Sequence, residues 1–363
     1  MSGRCSRAWV EVDLAAVVEN ARTVARVAGT RLLPVVKANG YGVGAVAVCG
    51  ALEGLHPWGY GVATLEEGAE LRDAGITRPV VVLMPVPPVL FDAADRSGLT
   101  PTLGDREALA AWTARGERPF HLEVDTGMGR CGVRWDEIAE IRDLVDTPAF
   151  EGCYTQFHSA ERDDGSLERQ LERFLSAVAA LPRRPTLLHV ANSAAAMRGR
   201  RYALDLVRPG VFLYGGTVGS GRPVPRPVVS LRARVLGLRR VEAGEGVSYG
   251  ALWRSPAQTR VATLGIGYAD GVRRTVGFGG RAAVLLGHGR CPFVGAVTMD
   301  LAMVEVGARP VQVGDVATLL GAADGDAIPL EEYAVAADVL QHEALTALRG
   351  RLPRVYDGSL VRP

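Results

Sequence analysis

The chain has 363 residues, 48% of them hydrophobic and only 6% aromatic, with 41 Lys plus Arg against 40 Asp plus Glu. That length allows one large domain and a smaller one, each with its own core. The near balance of charge excludes a global field that would draw in nucleic acid or an anionic membrane, so partners must be recognised locally.

The five cysteines, Cys5, Cys49, Cys131, Cys153 and Cys291, are scattered, with no CxxC pair and no zinc spacing. That pattern favours reduced thiols in a cytoplasm over a disulfide framework, and it offers no metal site. The opening MSGRCSRAWVEVDL turns polar without the apolar core of a signal peptide. No stretch approaches the ~20 apolar residues of a spanning helix. The expectation is a soluble cytoplasmic protein.

In chain order, Asp13 reads as the N-cap of a helix whose apolar positions are Leu14, Val17, Val18, Ala21 and Val24. Short apolar runs follow at 31–36, 58–63, 79–84, 98–102, 119–125, 150–157, 186–190 and 205–213. Between most of them lie helical patterns such as LEEGAELRDAG and SLERQLERFLSAVAAL. Eight strand candidates alternating with helices predict an α/β fold, a TIM-type (β/α)8 barrel, although periodicity alone leaves a doubly wound open sheet in play. Near residue 215 the pattern changes: GGTVGSGRPVPRP suits neither a long helix nor a central strand. Beyond it come short β-type runs and one late helical stretch around EEYAVAADVLQHEALTALRG. The predicted organisation is a barrel over 1–225, whose first ~10 residues pack with the second domain, and a mostly β domain over 226–363.

Lys37 ends the first predicted strand, in VVKANGYGVG. A strand end at the carboxyl face of a barrel is where sites lie, and a lysine there can form a Schiff base with an aldehyde such as pyridoxal phosphate. From position alone the plainer reading, a strand-end lysine in contact with water, comes first. The glycines of GIGYADG and GFGG do not form GxGxxG between a strand and a helix, so dinucleotide binding is not indicated.

VVKANGYGVG resembles the pyridoxal-lysine motif of the alanine racemase family, whose usual form is VVKANAYGHG. RAWVEVDLAAVVENAR, GVATLEEGAELRDAGITRPVVVLMP, DTGMGRCGV, HVANSAAAMR, VRPGVFLYG, VSYGALW, IGYADG and VGAVTMD are similar to further family segments, in the family's order, from about residue 7 to 355. The resemblance implies a pyridoxal phosphate barrel joined to a C-terminal β domain, working as a head-to-tail homodimer with shared active sites and acting on a small amino acid. It implies Lys37 as cofactor anchor and base on one face of Cα, and Tyr249, from the partner chain, as base on the other. Racemisation requires two such groups, one to remove the α proton and one to return a proton to the opposite face.

By the same resemblance Arg208 bonds the pyridine nitrogen, with His189 behind it. An arginine stays protonated, so it donates to that nitrogen and keeps it from taking a proton. Tyr41, Ser193, Gly210 and Val211 are implied phosphate contacts, with Asn192 in the same stretch as Ser193. Arg130 is implied near the cofactor oxygen and the substrate carboxylate; Tyr268, Met299 and Asp300 are implied on the substrate side. Read without the family, Arg208 is a surface ion pair, His189 a satisfied core histidine, Tyr249 an aromatic at a strand end and Met299 ordinary core.

Several positions depart from the family. Glu123 stands where many members carry a carbamylated lysine, and its carboxylate would supply the same charge and pair with Arg130. Gln156 replaces a histidine between the catalytic tyrosine and the pyridine-binding arginine; it can hold a hydrogen-bond chain but does not titrate near neutral pH. His158, two residues on, is expected on the same strand face. Gly350 replaces a phosphate-contacting tyrosine and His342 another tyrosine, with smaller departures at Gly40 and Val43. These leave open a pathway-specific epimerase, decarboxylase or aldolase on the same scaffold, and a non-catalytic pyridoxal phosphate-binding protein, beside racemisation.

Overall fold

The structure, a computed structural model, describes residues 6–277, 280–348 and 350–356, and the backbone of 359–361; Cys5 lies outside them. Each of the eight N-terminal strand candidates contains a strand. Six run parallel in one ladder, in the order Tyr60–Val62, Val80–Pro85, Thr100–Leu103, Phe120–Asp125, Phe150–Tyr154 and Leu187–His189. Arg31–Leu32 and Leu206–Val207 form a separate parallel pair.

The expected single eight-stranded ring is therefore seen as an open half-barrel plus a two-stranded piece. Pro34 and Pro209 supply the physical reason, because a proline has no N–H to donate to a ladder. The bridge Val35↔Gly61 links the pair to one end of the half-barrel. At the other end, Asp205 N–H donates to Leu188 O (3.0 Å) and Arg208 N–H to Ala191 O (2.8 Å).

The first helix is Leu14–Ala28, capped by the Asp13 carboxylate accepting from Ala16 N–H, with Val17, Ala21 and Val24 buried. Asn20 on its inner face ties down two distant backbones. It donates to Leu213 O and Arg226 O and accepts from Arg226 N–H. The two helical patterns picked out from sequence form Leu65–Asp73 and Ser166–Ala180.

In the C-terminal part the long strand Val229–Val241 pairs antiparallel with Thr259–Leu264, Val316–Ala323 and the N-terminal strand Ala8–Val12. Ala8–Val12 also pairs parallel with Arg354–Tyr356, so both chain ends join this sheet. The late helical stretch is two helices, Leu330–Ala336 and Gln341–Thr346, because Asp338 takes a positive φ (54°) between them. Among the described residues no helix is long and apolar enough to cross a membrane.

Candidate active site

Lys37 does not sit on a strand. It opens a left-handed helical turn: Ala38 (φ 52°, ψ 47°), Asn39 (54°, 52°) and Gly40 (59°, 47°), followed by Tyr41 (φ 54°) and Gly42 (φ 83°). L-residues avoid this conformation, and runs of it persist only where surroundings impose it. The Glu67 carboxylate accepts from Ala38 N–H (2.6 Å) and Ala63 N–H (2.7 Å). Asn39 accepts from Ala45 N–H (2.9 Å) on its side chain and from Gly44 N–H (2.8 Å) on its carbonyl. From the C-terminal strand, buried Arg354 donates to Gly42 O through Nε (3.0 Å) and Nη2 (2.7 Å), and Tyr356 to Val43 O (2.6 Å).

The ammonium of Lys37 keeps access to water yet stands within a ring of protein. Burial first, then the positive charge of Arg130, lowers its pKa from the ordinary lysine value; Glu67 opposes this and Arg208 adds to it. A lowered pKa makes the free amine, the nucleophilic form, more available.

Tyr41 stacks on Tyr214 (centroids 4.6 Å apart, 21° between planes), and Tyr214 donates to Val35 O (2.9 Å). The pair presents the Tyr41 hydroxyl to Gly210, where a Cβ would come within 2.3 Å of it. Burial raises the Tyr41 pKa to about 12, so the group stays a donor. Ser193 Oγ accepts from Gly210 N–H (2.8 Å) and opens the helix Ser193–Ala196, which Asn192 caps by accepting from Ala195 N–H. Val211 begins the short helix Val211–Tyr214. His342 reaches the same place from the C-terminal part, its ring 6.0 Å from that of Tyr41. A Cβ at Gly350 would meet nothing within 4 Å.

Arg208 is buried. Nη1 donates to His189 Nδ1 (3.0 Å) and His189 O (2.5 Å); Nη2 donates to Thr155 O (2.8 Å) and Gln156 Oε1 (3.3 Å). The guanidinium lies over the Tyr154 ring, 4.9 Å from its centroid. None of these bonds uses Nε. Burial lowers the Arg208 pKa to about 10, which leaves it charged at neutral pH.

Glu123 is buried, with Oε1 3.9 Å from Arg130 Nη2 and Oε2 without a hydrogen-bond partner. The expected direct pair is thus a loose one. Burial raises the Glu123 pKa, with Arg130 opposing. His158 does not join the site: the strand ends at Tyr154, and His158 pairs with Ser159 Oγ (2.8 Å).

Lys37, Tyr41, Arg130, His189, Asn192, Ser193, Arg208, Gly210 and Val211 are brought together in the N-terminal part. Tyr249, Tyr268, Met299 and Asp300 are not with them. Tyr249 is 76% exposed, and among the described residues no hydrogen bond, ion pair or ring contact links it to Lys37. Ser248 donates to Ala296 O (2.7 Å), and Tyr268 N–H to Thr298 O (3.0 Å), which sets these residues on one outward-facing edge. Asp300 is engaged by Arg351 (2.6 Å). Sequence reading missed Glu67, His121, Glu151 and Arg354. Only Glu67 carried a local signal, the T-x-x-E of a capping box from Thr64, which the structure forms.

A lysine whose amine feels Arg130 and Arg208, two hydroxyls gathered at Gly210, and a buried arginine whose Nε enters none of its hydrogen bonds among the described residues fit a phosphorylated, ring-nitrogen aldehyde. Residues 12–218 match the family model for the alanine racemase N-terminal domain, and 228–356 that for the C-terminal domain. The chain belongs to the alanine racemase family. Alanine racemase from Symbiobacterium thermophilum is 39% identical over 368 residues, covering 96% of this chain and 97% of that protein. Alanine racemase from Deinococcus radiodurans is 40% identical, covering 96% and 98%. The crystal structure of alanine racemase from E. faecalis superposes with a TM-score of 0.89 at 33% identity, over 97% of this chain and 98% of that one. That of alanine racemase from Bartonella henselae with covalently bound pyridoxal phosphate gives 0.89 at 29% identity, over 97% and 99%. Alanine racemases are racemase isomerases, and no cluster of three metal-ligating side chains occurs among the described residues.

Proposed function

We propose that this chain is a pyridoxal phosphate-dependent racemase that interconverts L- and D-alanine with Lys37 and Tyr249 as its two bases. The observation that supports the reading is the strained left-handed turn that carries Lys37, whose amine lies near enough to Arg130 and Arg208 to feel their charges, with the Tyr41 hydroxyl and Ser193 Oγ both set against Gly210. When bound, pyridoxal phosphate supplies a sink for the electron pair left at Cα on loss of its proton.

Lys37 Nζ anchors the cofactor and exchanges a proton with one face of Cα. Tyr41 Oη, Ser193 Oγ and Val211 N–H would hold the phosphate, and Gly210, by lacking a Cβ, leaves room for the Tyr41 hydroxyl beside it. The unspent Nε–H of Arg208 donates to the ring nitrogen and, as a charged donor, keeps it unprotonated. Arg130 takes the substrate carboxylate.

Tyr249 Oη serves the opposite face from a second copy of the chain. Its exposure on the far edge of its own chain, beside Tyr268 and Met299, supports a head-to-tail homodimer. The half-barrel and its two-stranded piece work as one (β/α)8 barrel over 1–225, with 226–363 as the β domain, in a soluble cytoplasmic enzyme.

The test is incubation of purified protein and pyridoxal phosphate with L- or D-alanine in D₂O. Deuterium at Cα and convergence of both enantiomers to one ratio are expected, and Lys37→Ala should abolish both. A protein that binds the cofactor at Lys37 but exchanges no Cα proton of alanine would refute the proposal.

A further inference from the structure

Behind Arg208 runs a hydrogen-bonded chain that the reaction as proposed does not use. His189 Nε2 lies 2.9 Å from His121 Nδ1, and His121 Nε2 lies 3.3 Å from Glu151 Oε2. His189, His121 and Glu151 come from three neighbouring parallel strands, whose register pairs Tyr154 with His189 and His121 with Gly152. Both imidazoles are fully buried, while the Glu151 side chain is 32% exposed. The His121 ring has little freedom. A Cβ at Gly152 would come within 2.6 Å of its atoms, and Trp58 lies 5.9 Å away.

The chain admits one assignment of protons. A guanidinium has no acceptor, so His189 Nδ1, which faces Arg208 Nη1, must be the unprotonated nitrogen. His189 then carries its proton on Nε2 and donates it to His121 Nδ1. His121 in turn carries its proton on Nε2 and donates to the Glu151 carboxylate, which is acceptor-only when ionised. Every bond points outward, from arginine to surface carboxylate.

We infer that His121 and Glu151 are positioning residues that fix the tautomer of His189 and thereby hold the orientation of Arg208. The inference rests on the proposed function only in what Arg208 then does for the cofactor; the proton order stands on geometry alone. Glu151 is the terminal acceptor, so its chemistry decides the direction of the whole chain.

Two variants of Glu151 test this. Glu151→Gln keeps an acceptor oxygen and should preserve the order. Glu151→Lys offers only donors, so His121 must accept at Nε2, carry its proton on Nδ1, and force His189 to present an N–H toward Arg208. The readout is the imidazole tautomer in ¹⁵N-histidine-labelled holoenzyme by long-range ¹H–¹⁵N correlation, which six histidines keep readable. The expected result is Nε2–H at His121 and His189 in the wild type and Glu151→Gln, and Nδ1–H at both in Glu151→Lys. With that reversal kcat should fall about tenfold, the worth of one hydrogen bond to a charged group, while KM moves less than about twofold. Unchanged tautomers in Glu151→Lys would overturn the proton order. Reversed tautomers with unchanged kcat in an active racemase would overturn the role in aiming Arg208. The tautomer readout is independent of whether alanine is racemised, so failure of the functional proposal is seen separately.

Discussion

Replacing Glu67 with alanine should release the turn that carries Lys37. Three non-glycine residues in that turn, Ala38, Asn39 and Tyr41, have left-handed φ values, at roughly 1–2 kcal/mol each, or about 3–6 kcal/mol together. The Glu67 carboxylate offsets this by accepting from Ala38 N–H at 2.6 Å and Ala63 N–H at 2.7 Å. Bonds to a charged group are worth ~1.5–3 kcal/mol each, so the two together, about 3–6 kcal/mol, are of the same size as the strain. Without them the left-handed turn loses its advantage over relaxed alternatives, and Lys37 moves. Glu67→Ala should therefore lower Tm and weaken pyridoxal phosphate binding by at least about tenfold for each 1.4 kcal/mol lost to the turn. Glu67→Gln keeps one acceptor oxygen but turns a donor toward the second N–H, so it should fall between the two. Thermal unfolding with and without cofactor, and spectral titration of cofactor binding, measure both effects. A Glu67→Ala protein with wild-type Tm and wild-type cofactor affinity would show that the turn is held by something else.

Lys37, its pKa lowered by burial and then by Arg130, should react with small aldehydes in the cofactor-free protein at a midpoint below the ordinary 10.5. The folded state gives up that proton before the unfolded state does, so the lysine's contribution to stability rises with pH between the lowered and ordinary values; Arg130→Leu should move the reaction midpoint upward, and a midpoint that stays put refutes the coupling. Glu123→Gln removes a buried charge whose Oε2 has no partner, so Tm should hold or rise while Arg130 loses its counter-charge and KM for alanine increases several-fold; unchanged kinetics would dismiss Glu123 as a stand-in for the family's carbamylated lysine. Arg354→Met removes donors to the Gly42, Leu348 and Leu352 carbonyls and should cost about 3 kcal/mol or more in urea unfolding, against no loss if the clamp is incidental. Inactive Lys37→Ala and Tyr249→Phe proteins, unfolded and refolded together, should regain up to about a quarter of wild-type activity if each site takes one base from each copy, and none if both bases come from one chain.

The strands were legible because their cause is local: apolar runs bounded by turns, with Asp13 marking the first helix. The ring they form was less legible, since Pro34 and Pro209 interrupt ladders in a way that depends on which strands meet. The candidate-site residues Lys37, Tyr41 and Arg208 stood out in the sequence because each lies in a contiguous motif. Glu67, 30 positions from Lys37, showed only as the T-x-x-E of a capping box with nothing to tie it to the lysine, and Arg354, 317 positions away, acts by donating to backbone, which leaves no compositional trace. His121 reads as an ordinary residue of an apolar strand until the gap over Gly152, opposite it in register, lets its ring reach His189 diagonally across the sheet. His158 failed for the opposite reason, because period two was carried past Tyr154, where the strand stops.

The loop that bears Tyr249 is strained too, with two non-glycine residues, Ser248 and Ala251, at positive φ. Ser248 (φ 65°), Gly250 (φ 73°) and Ala251 (φ 45°) all have positive φ, and the Ser248 hydroxyl and Gly295 brace the loop from below. Strain of that kind persists where the surroundings over-determine it, yet within one chain it serves only to hold a tyrosine out into solvent. In the proposed homodimer a second copy supplies the missing purpose. The β domain then has two separable tasks: through Arg354 and Tyr356 it locks the Lys37 turn of its own chain, and through Tyr249 it completes the site of the other. Damage to the first should appear as lost cofactor affinity in the same chain, and damage to the second as lost turnover in the partner with its cofactor still bound.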